Sequence, residues 1–255
     1  MITIKTAEDI EKLREGGRRH AEMLRKLAAM TEPGVSTEEL NAAALKMIED
    51  GGDAAAFLNY RPRGVKRPYP AALCVSINDI IVHGIPNVNP RVLQEGDIVT
   101  LDLGLTHQGL ITDAAVTLGV GKIDDDSRRL IHATREALER GIKAVAPGNH
   151  IGDIGAALEI FAQEEGYAIT EDLAGHGVGY SVHEDPFVPN TGVAGQGPAL
   201  KPGMVLAIEP MLTLGGGRVV FEGDEYTVRT KDGSRAAHFE HTVLVTEDGV
   251  EVLTR

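Results

Sequence analysis

Leu93-Gln-Glu-Gly-Asp-Ile-Val-Thr-Leu-Asp102 has a counterpart in Leu200-Lys-Pro-Gly-Met-Val-Leu-Ala-Ile-Glu209: in each, a glycine turn feeds an apolar run that ends on a carboxylate. Outward from this pair the agreement continues. Val82-His83-Gly-Ile-Pro86 is answered by Val182-His183-Glu-Asp-Pro186, and Asp113-Ala-Ala-Val116 by Glu240-His-Thr-Val243. Upstream, Pro33-Gly34 and Pro147-Gly148 each break one helical stretch from the next. Matched features in the same order imply two related halves, about 1–121 and 125–255, within a single domain spanning 1–255.

Each half opens on a pair of helices. Ile10, Leu13, Met23, Leu24 and Leu27 recur at helical spacing and predict a helix over Ala7–Met30, with Thr6 and Asp9 placed as a capping box. Ser36 and Glu39 open a second helix, whose stripe of Leu40, Ala44, Met47 and Ile48 ends at Gly51-Gly52. In the second half the helices are expected from about Asp126 to Val145 and from Ile151 to Glu165. Phe57 to Pro70 reads as a loop and Ala72–Ile77 as a strand, followed by a hairpin that carries Asp102 and Asp113 on either side of Gln108-Gly109. The class is α+β.

The chemistry lies in what these runs bury. Asp102, Asp113, Glu209 and Glu240 all sit in or at the edge of apolar strands where Lys and Arg are nearly absent. A buried carboxylate must be paired, hydrogen-bonded or coordinated, so a cation is the natural partner. If the halves pack about a pseudo-twofold axis, the four acids meet in the middle, flanked by His83 and His183. Ala174-Gly-His-Gly-Val-Gly-Tyr-Ser-Val-His-Glu-Asp-Pro186 is too glycine-rich for a helix, and its His176 has no counterpart in the first half. That asymmetry marks His176 as an added ligand. Carboxylates with one imidazole suit divalent first-row ions rather than a structural zinc of the thiolate kind.

Composition narrows the class further. A chain of 255 residues, 42% hydrophobic, can bury a sizeable core. No apolar run is long enough to span a bilayer, and the start lacks the blocks of a signal peptide, so a cytoplasmic location is expected. The single Cys74 excludes an internal disulfide. A net charge of −13 argues against DNA or broad nucleic-acid binding, although Arg61, Arg63, Lys66 and Arg67 form a local basic cluster. His20, His107, His132 and His150 read as surface or packing residues, and His238 and His241 as at most neighbours of the site.

Taken together, Ser76-Ile-Asn-Asp-Ile-Ile-Val-His83-Gly-Ile-Pro, Asp102, Asp113, Gly175-His176-Gly-Val-Gly, Val182-His183-Glu-Asp-Pro, Ile208-Glu209-Pro-Met and Glu240-His-Thr resemble the landmarks of the type I methionine aminopeptidases, of peptidase family M24, across nearly the whole chain. The resemblance implies the pita-bread fold, a curved antiparallel sheet with two helix pairs on its outer face. It implies a hydrolase that removes N-terminal methionine ahead of a small second residue, using two divalent ions, cobalt, manganese, iron or zinc. On the same ground Asp113 and Glu240 bridge the ions, Asp102 binds one and His176 with Glu209 the other. Glu209 also carries a proton to the leaving amine, while His83 and His183 contact the substrate and stabilise the tetrahedral intermediate.

By matching positions, the methionine pocket takes Tyr60, Tyr69, Cys74 and Tyr226, with Phe57 and Val182 beside them. Here the chain departs from the usual pattern: the Arg61–Pro68 loop is longer, Val182 replaces a common aromatic, and Tyr226 a common tryptophan. Nascent polypeptide N-termini are the implied partners, with a ribosomal contact through the basic cluster and a monomeric state as further expectations. Two rivals share the fold. Prolidase or aminopeptidase P relatives carry an additional N-terminal domain for which no room is expected here, and a non-catalytic peptide-binding module need not keep every ligand. The short interval from His183 to Glu209 argues against the type II enzymes, which carry a helical insertion there.

Overall fold

The computed structural model describes residues 1–170 and 172–255. Helix α1 (Ala7–Met30) starts at Thr6, whose hydroxyl accepts from the Asp9 amide while the Asp9 carboxylate returns to the Thr6 amide. Helix α2 (Thr37–Asp50) repeats the device with Ser36 and Glu39. These reciprocal caps satisfy amides that the first helical turn leaves free. Helix α3 (Asp125–Lys143) begins one residue ahead of expectation because Asp124 caps the Ser127 amide. Helix α4 covers Ile151–Glu164.

Among the described residues the main sheet has nine strands, all paired antiparallel. Its inner path runs Leu73–Ile77, Ile98–His107, Leu110–Gly119, Glu240–Val245, Val205–Ile208, Ala174–Gly177. Three strands from the first half thus meet three from the second, and the seam lies where Ala115 pairs Glu240 and Ala114 pairs His241. Gln108 and Gly109 turn the first hairpin with φ of 48° and 83°, the left-handed pair that a tight two-residue connection needs.

Register decides which face each side chain takes. Directly paired residues share a face, and residues two apart along a strand do too. Cys74 pairs Asp102, Asp102 pairs Ala115, and Ala115 pairs Glu240, which puts Asp113, two residues from Ala115, with them. His176 pairs Ala207 and Ala207 pairs Thr242, again two residues from Glu240. The acids and His176 therefore share the inner face. The alternate residues face the helices: Val99, Leu101, Leu103 and Leu105 pack with Leu27, Leu40 and Ile48 of α1 and α2. Leu206, Ile208, Val243 and Val245 pack with Leu130, Ile142, Ile154 and Leu158 of α3 and α4. Each such aliphatic side chain contributes about 1.5–3 kcal/mol of burial, and that apolar layer holds the strands which carry the costly carboxylates on their other side.

Among the described residues there are two further sheets, each of three strands. Ile80–Val82 pairs Val228–Thr230, setting His83 beside Tyr226, and Met211–Thr213 pairs Ala236–His238, bringing His238 towards Glu209. Among the described residues no helix is long and apolar enough to cross a membrane.

Candidate metal centre and substrate pocket

The sheet's inner face forms the floor of one pocket with about 530 Å³ of empty space, mouth included. Asp102, Asp113, His176, Glu209 and Glu240 line it together with His83, His183, Tyr60, Tyr69, Cys74, Tyr226, Phe57 and Val182. Every candidate metal ligand, catalytic residue and methionine-pocket residue named from the sequence thus lines one cavity, whereas the basic cluster Arg61, Arg63, Lys66 and Arg67 lies outside it. Asp113, His176 and Glu240 each place a ligand atom within 4.8 Å of the other two. Glu209 joins them through its Oε1, 3.4 Å from His176 Nε2.

The local backbone explains how His176 reaches this position. A Cβ on Gly175 would lie 2.3 Å from the Ala207 carbonyl oxygen, and one on Gly177 2.2 Å from that of Asp185. Glycine on both sides lets the His176 strand press between its neighbours. The His176 Nδ1 lies 2.9 Å from the Gly177 carbonyl oxygen, so that nitrogen holds the proton and Nε2 is left with its lone pair towards the acids. Asp113 is fixed by Thr242: the Asp113 amide donates to the Thr242 hydroxyl at 2.8 Å, and the hydroxyl donates back to the Asp113 carbonyl at 2.7 Å.

Donor chemistry and burial test whether cations fit. Asp102 Oδ1, Asp113 Oδ1 and Glu240 Oε1 are buried without a hydrogen-bond partner. Burial, then the charges of neighbouring acids, pushes the Asp113, Glu209 and Glu240 carboxyls well above the usual range, and burial pushes Asp102 up to about 7. His176 is held neutral, down to about 4, chiefly by burial. Unpaired carboxylate oxygens around a neutral imidazole nitrogen are the donor set that divalent cations require. The residues fit.

The pocket wall is organised by hydroxyls. The Tyr60 hydroxyl lies 2.6 Å from His183 Nδ1, and His183 meets His176 edge to face at 4.4 Å between ring centroids. Tyr226 donates at 2.6 Å to the Arg67 carbonyl and at 3.2 Å to that of Tyr60, which folds the basic loop onto the rim. Tyr69 meets Tyr226 edge to face at 5.1 Å and donates to the Gly84 carbonyl. Cys74 is buried and its thiol pushed well up, first by burial and next by Asp102, so it acts as an apolar wall. His83 takes a φ of 59°, left-handed for a residue with a Cβ, and its pKa is lowered by burial. Strain of that kind persists where surrounding structure over-determines it.

Among curated relatives, the methionine aminopeptidase of Aquifex aeolicus is 44% identical over 255 residues, covering 99% of this chain and 98% of its own length. Methionine aminopeptidase B of Synechocystis is 42% identical over 253 residues, covering 99% and 92%. The pattern of Metallopeptidase family M24 matches residues 11–247. The chain belongs to metallopeptidase family M24, in its methionine aminopeptidase group. The crystal structure of the methionine aminopeptidase from Thermotoga maritima superposes with a TM-score of 0.95 at 43% identity, covering all of both chains. The architecture is accordingly the pita-bread fold expected from the sequence. A prolidase from Pyrococcus furiosus also aligns, with a TM-score of 0.77 at 22% identity, which shows a shared fold alone.

Two residues at this M24 site go beyond the sequence reading, which passed over Pro62 and took His238 as at most a neighbour. Pro62 of the basic loop contributes to the lining. His238 is 1% exposed, with Nε2 3.6 Å from Glu209 Oε2 and 4.0 Å from Glu240 Oε2 and neither ring nitrogen hydrogen-bonded. Glu209 thus lies between two imidazoles, one facing each oxygen. The alternation into which His238 falls, two residues before Glu240, was the one available signal. His20 and His107 are buried packing residues: His20 Nδ1 meets the Thr112 hydroxyl at 3.0 Å and His107 Nδ1 meets Asp53 at 2.7 Å.

Proposed function

We propose that this chain hydrolyses the first peptide bond of polypeptides that begin with methionine, with a pair of divalent cations held by Asp102, Asp113, His176, Glu209 and Glu240. The observation that carries the reading is the set of unpartnered buried oxygens on Asp102, Asp113 and Glu240 around His176, at the bottom of a pocket with an apolar wall. Cations bound there supply an acidified water and a polarised carbonyl. Cobalt, manganese, iron and zinc all suit such donors, and availability selects among them.

The chain's own groups do the rest. Phe57, Tyr60, Tyr69, Cys74, Val182 and Tyr226 take the methionine side chain, to which aromatic edges and a thiol are well matched. The small second residue is admitted at the pocket mouth. Glu209 accepts a proton during attack and returns it to the leaving amine. His83 and His183 donate to the oxygen on which charge develops. The role requires the tautomer in which the Tyr60 hydroxyl, 2.6 Å from His183 Nδ1, donates to that nitrogen and the ring's proton sits on Nε2.

The proposed setting is the cytoplasm, and the proposed substrates are nascent chains met by a monomer. Arg61, Arg63, Lys66 and Arg67 are exposed on a loop closed by backbone pairs between Tyr60 and Tyr69, and serve as a local contact for ribosomal RNA. Reversing these charges should weaken salt-sensitive ribosome association and leave short-peptide cleavage as it was. The central experiment incubates the metal-loaded protein with Met-Ala-Ser and with X-Pro peptides. Free methionine from the first, abolished by chelation, is the expected result; cleavage of X-Pro peptides alone would overturn the assignment.

A further inference from the structure

His183 lies on a turn that one carboxylate closes from within. Glu184 Oε1 accepts the amides of Tyr180 and Ser181, the latter at 2.9 Å. Its Oε2 accepts from Lys5 Nζ at 2.7 Å and from the Thr3 hydroxyl at 2.6 Å. The Lys5 and Glu184 side chains are 1% and 8% exposed, so both charges have left water for each other. Lys5 Nζ also stands 4.3 Å above the Tyr180 ring.

Room for this lysine is built into the turn. Gly179 has a φ of 137°, and a Cβ there would lie 2.4 Å from Lys5 Cε. Gly203 gives way in the same manner to Ile4 at 2.7 Å, while the Lys5 amide donates to the Gly203 carbonyl at 2.8 Å. Two glycines therefore let the segment before α1 cross the turn, and the Tyr180 hydroxyl ties the turn to Asp9 of α1 at 2.7 Å. An ion pair so deeply buried is weak as a source of stability and strong as a device for fixing geometry.

We infer that Lys5, through Glu184, is a positioning residue for His183. The Lys5–Glu184 pair holds the Tyr180–Glu184 turn in the one conformation that sets the His183 ring against His176 and the Tyr60 hydroxyl. Lys5 is not among the residues that line the pocket. The inference rests on the proposed role of His183 as a substrate contact.

The experiment compares the wild type with the double variant Lys5→Met/Glu184→Gln, which removes the pair without leaving one buried charge behind. On Met-Ala-Ser, kcat should fall by between about tenfold and a hundredfold, the range expected when a reacting group shifts by a fraction of its contact distance. KM and bound metal should stay near wild type, and Lys5→Arg alone should keep most of the turnover. In a His183→Ala background the same two changes should cost almost nothing further, whereas in a His83→Ala background they should cost their full factor. Unchanged kcat, loss of metal, or an equal loss in both backgrounds would overturn the inference. If the double variant does not fold, Thr3→Val removes the hydrogen bond to Glu184 and the one the Thr3 hydroxyl accepts from Lys5, leaves the ion pair itself in place, and reads the same non-additivity at smaller amplitude. A wild type that releases no methionine sinks the function itself; a wild type that does, beside a variant that matches it, sinks only the role of Lys5.

Discussion

At the scale of single residues, His176 stands between two glycines that admit no side chain. A methyl group at Gly177 would lie 2.2 Å from the Asp185 carbonyl oxygen, with backbone rather than a flexible side chain in its way. Gly177→Ala should therefore lower stability by about 1–3 kcal/mol, as overpacking does, and weaken divalent-metal binding because the His176 strand must shift. Thermal unfolding with metal titration reads both, and a stable variant with unchanged metal affinity would contradict the account. The histidines should also separate by role. His176→Ala should lose metal far more than His83→Ala or His183→Ala, which should mainly lower kcat, and equal metal loss in all three would refute the division.

At the scale of elements, the seam between the halves depends on a side chain where the ladder gives out. Paired register along the central strands covers Ala115 with Glu240 and Ala114 with His241, and one residue further the Thr242 hydroxyl bonds both the amide and the carbonyl of Asp113. Thr242→Val keeps the shape and removes both bonds, at about 1 kcal/mol each plus the penalty of an unmet buried amide. The expected result is a loss of about 2–4 kcal/mol in denaturant unfolding, with weaker metal binding as Asp113 loosens. Retention of both properties would show that the strands hold Asp113 without Thr242. The elements themselves were largely legible in the sequence. Capping residues, glycine turns and apolar periodicity act over a few positions, so Thr6 with Asp9 and Ser36 with Glu39 could be read directly. What could not be read was the partner across the seam, since a threonine in an apolar strand looks the same whether its hydroxyl bonds its own strand or the next.

For the whole molecule, buried ionisable groups set the response to pH. Burial holds His20, His176, His238 and His241 neutral, with pKa values down to about 3, 4, 3 and 4, while in the unfolded chain a histidine titrates near 6.5, so the unfolded state binds more protons below that pH. Their contribution to stability is lost as pH falls below about 6.5. The clustered carboxylates act in the opposite sense. With pKa values raised in the metal-free fold, Asp102 to about 7 and Asp113, Glu209 and Glu240 well above their ordinary value, the folded state holds protons the unfolded chain has released. Stability then falls as pH rises through neutrality. The metal-free protein should be most stable near about pH 6 and its Tm should decline towards about pH 8. A divalent cation should reverse the decline, by a margin that grows with pH because binding displaces those protons. A metal-free Tm that climbs steadily to about pH 8 would rule this balance out.

The sequence by itself determined the four helices, the main acid-bearing strands, the recurrence of motifs along the chain, and the kinds of atom that gather at the centre, because each is written in residues a few positions apart or in a repeat of them. Only the tertiary structure decided which of those atoms stay without a partner, that His238 faces Glu209, that Pro62 reaches the pocket, and that Lys5 closes on Glu184 across 179 positions. The physical reason is that a lone lysine or histidine carries no local signal of its partner. Its environment is set when the sheet curves and the surrounding layers pack, and burial then turns an ordinary side chain into one that must be paired.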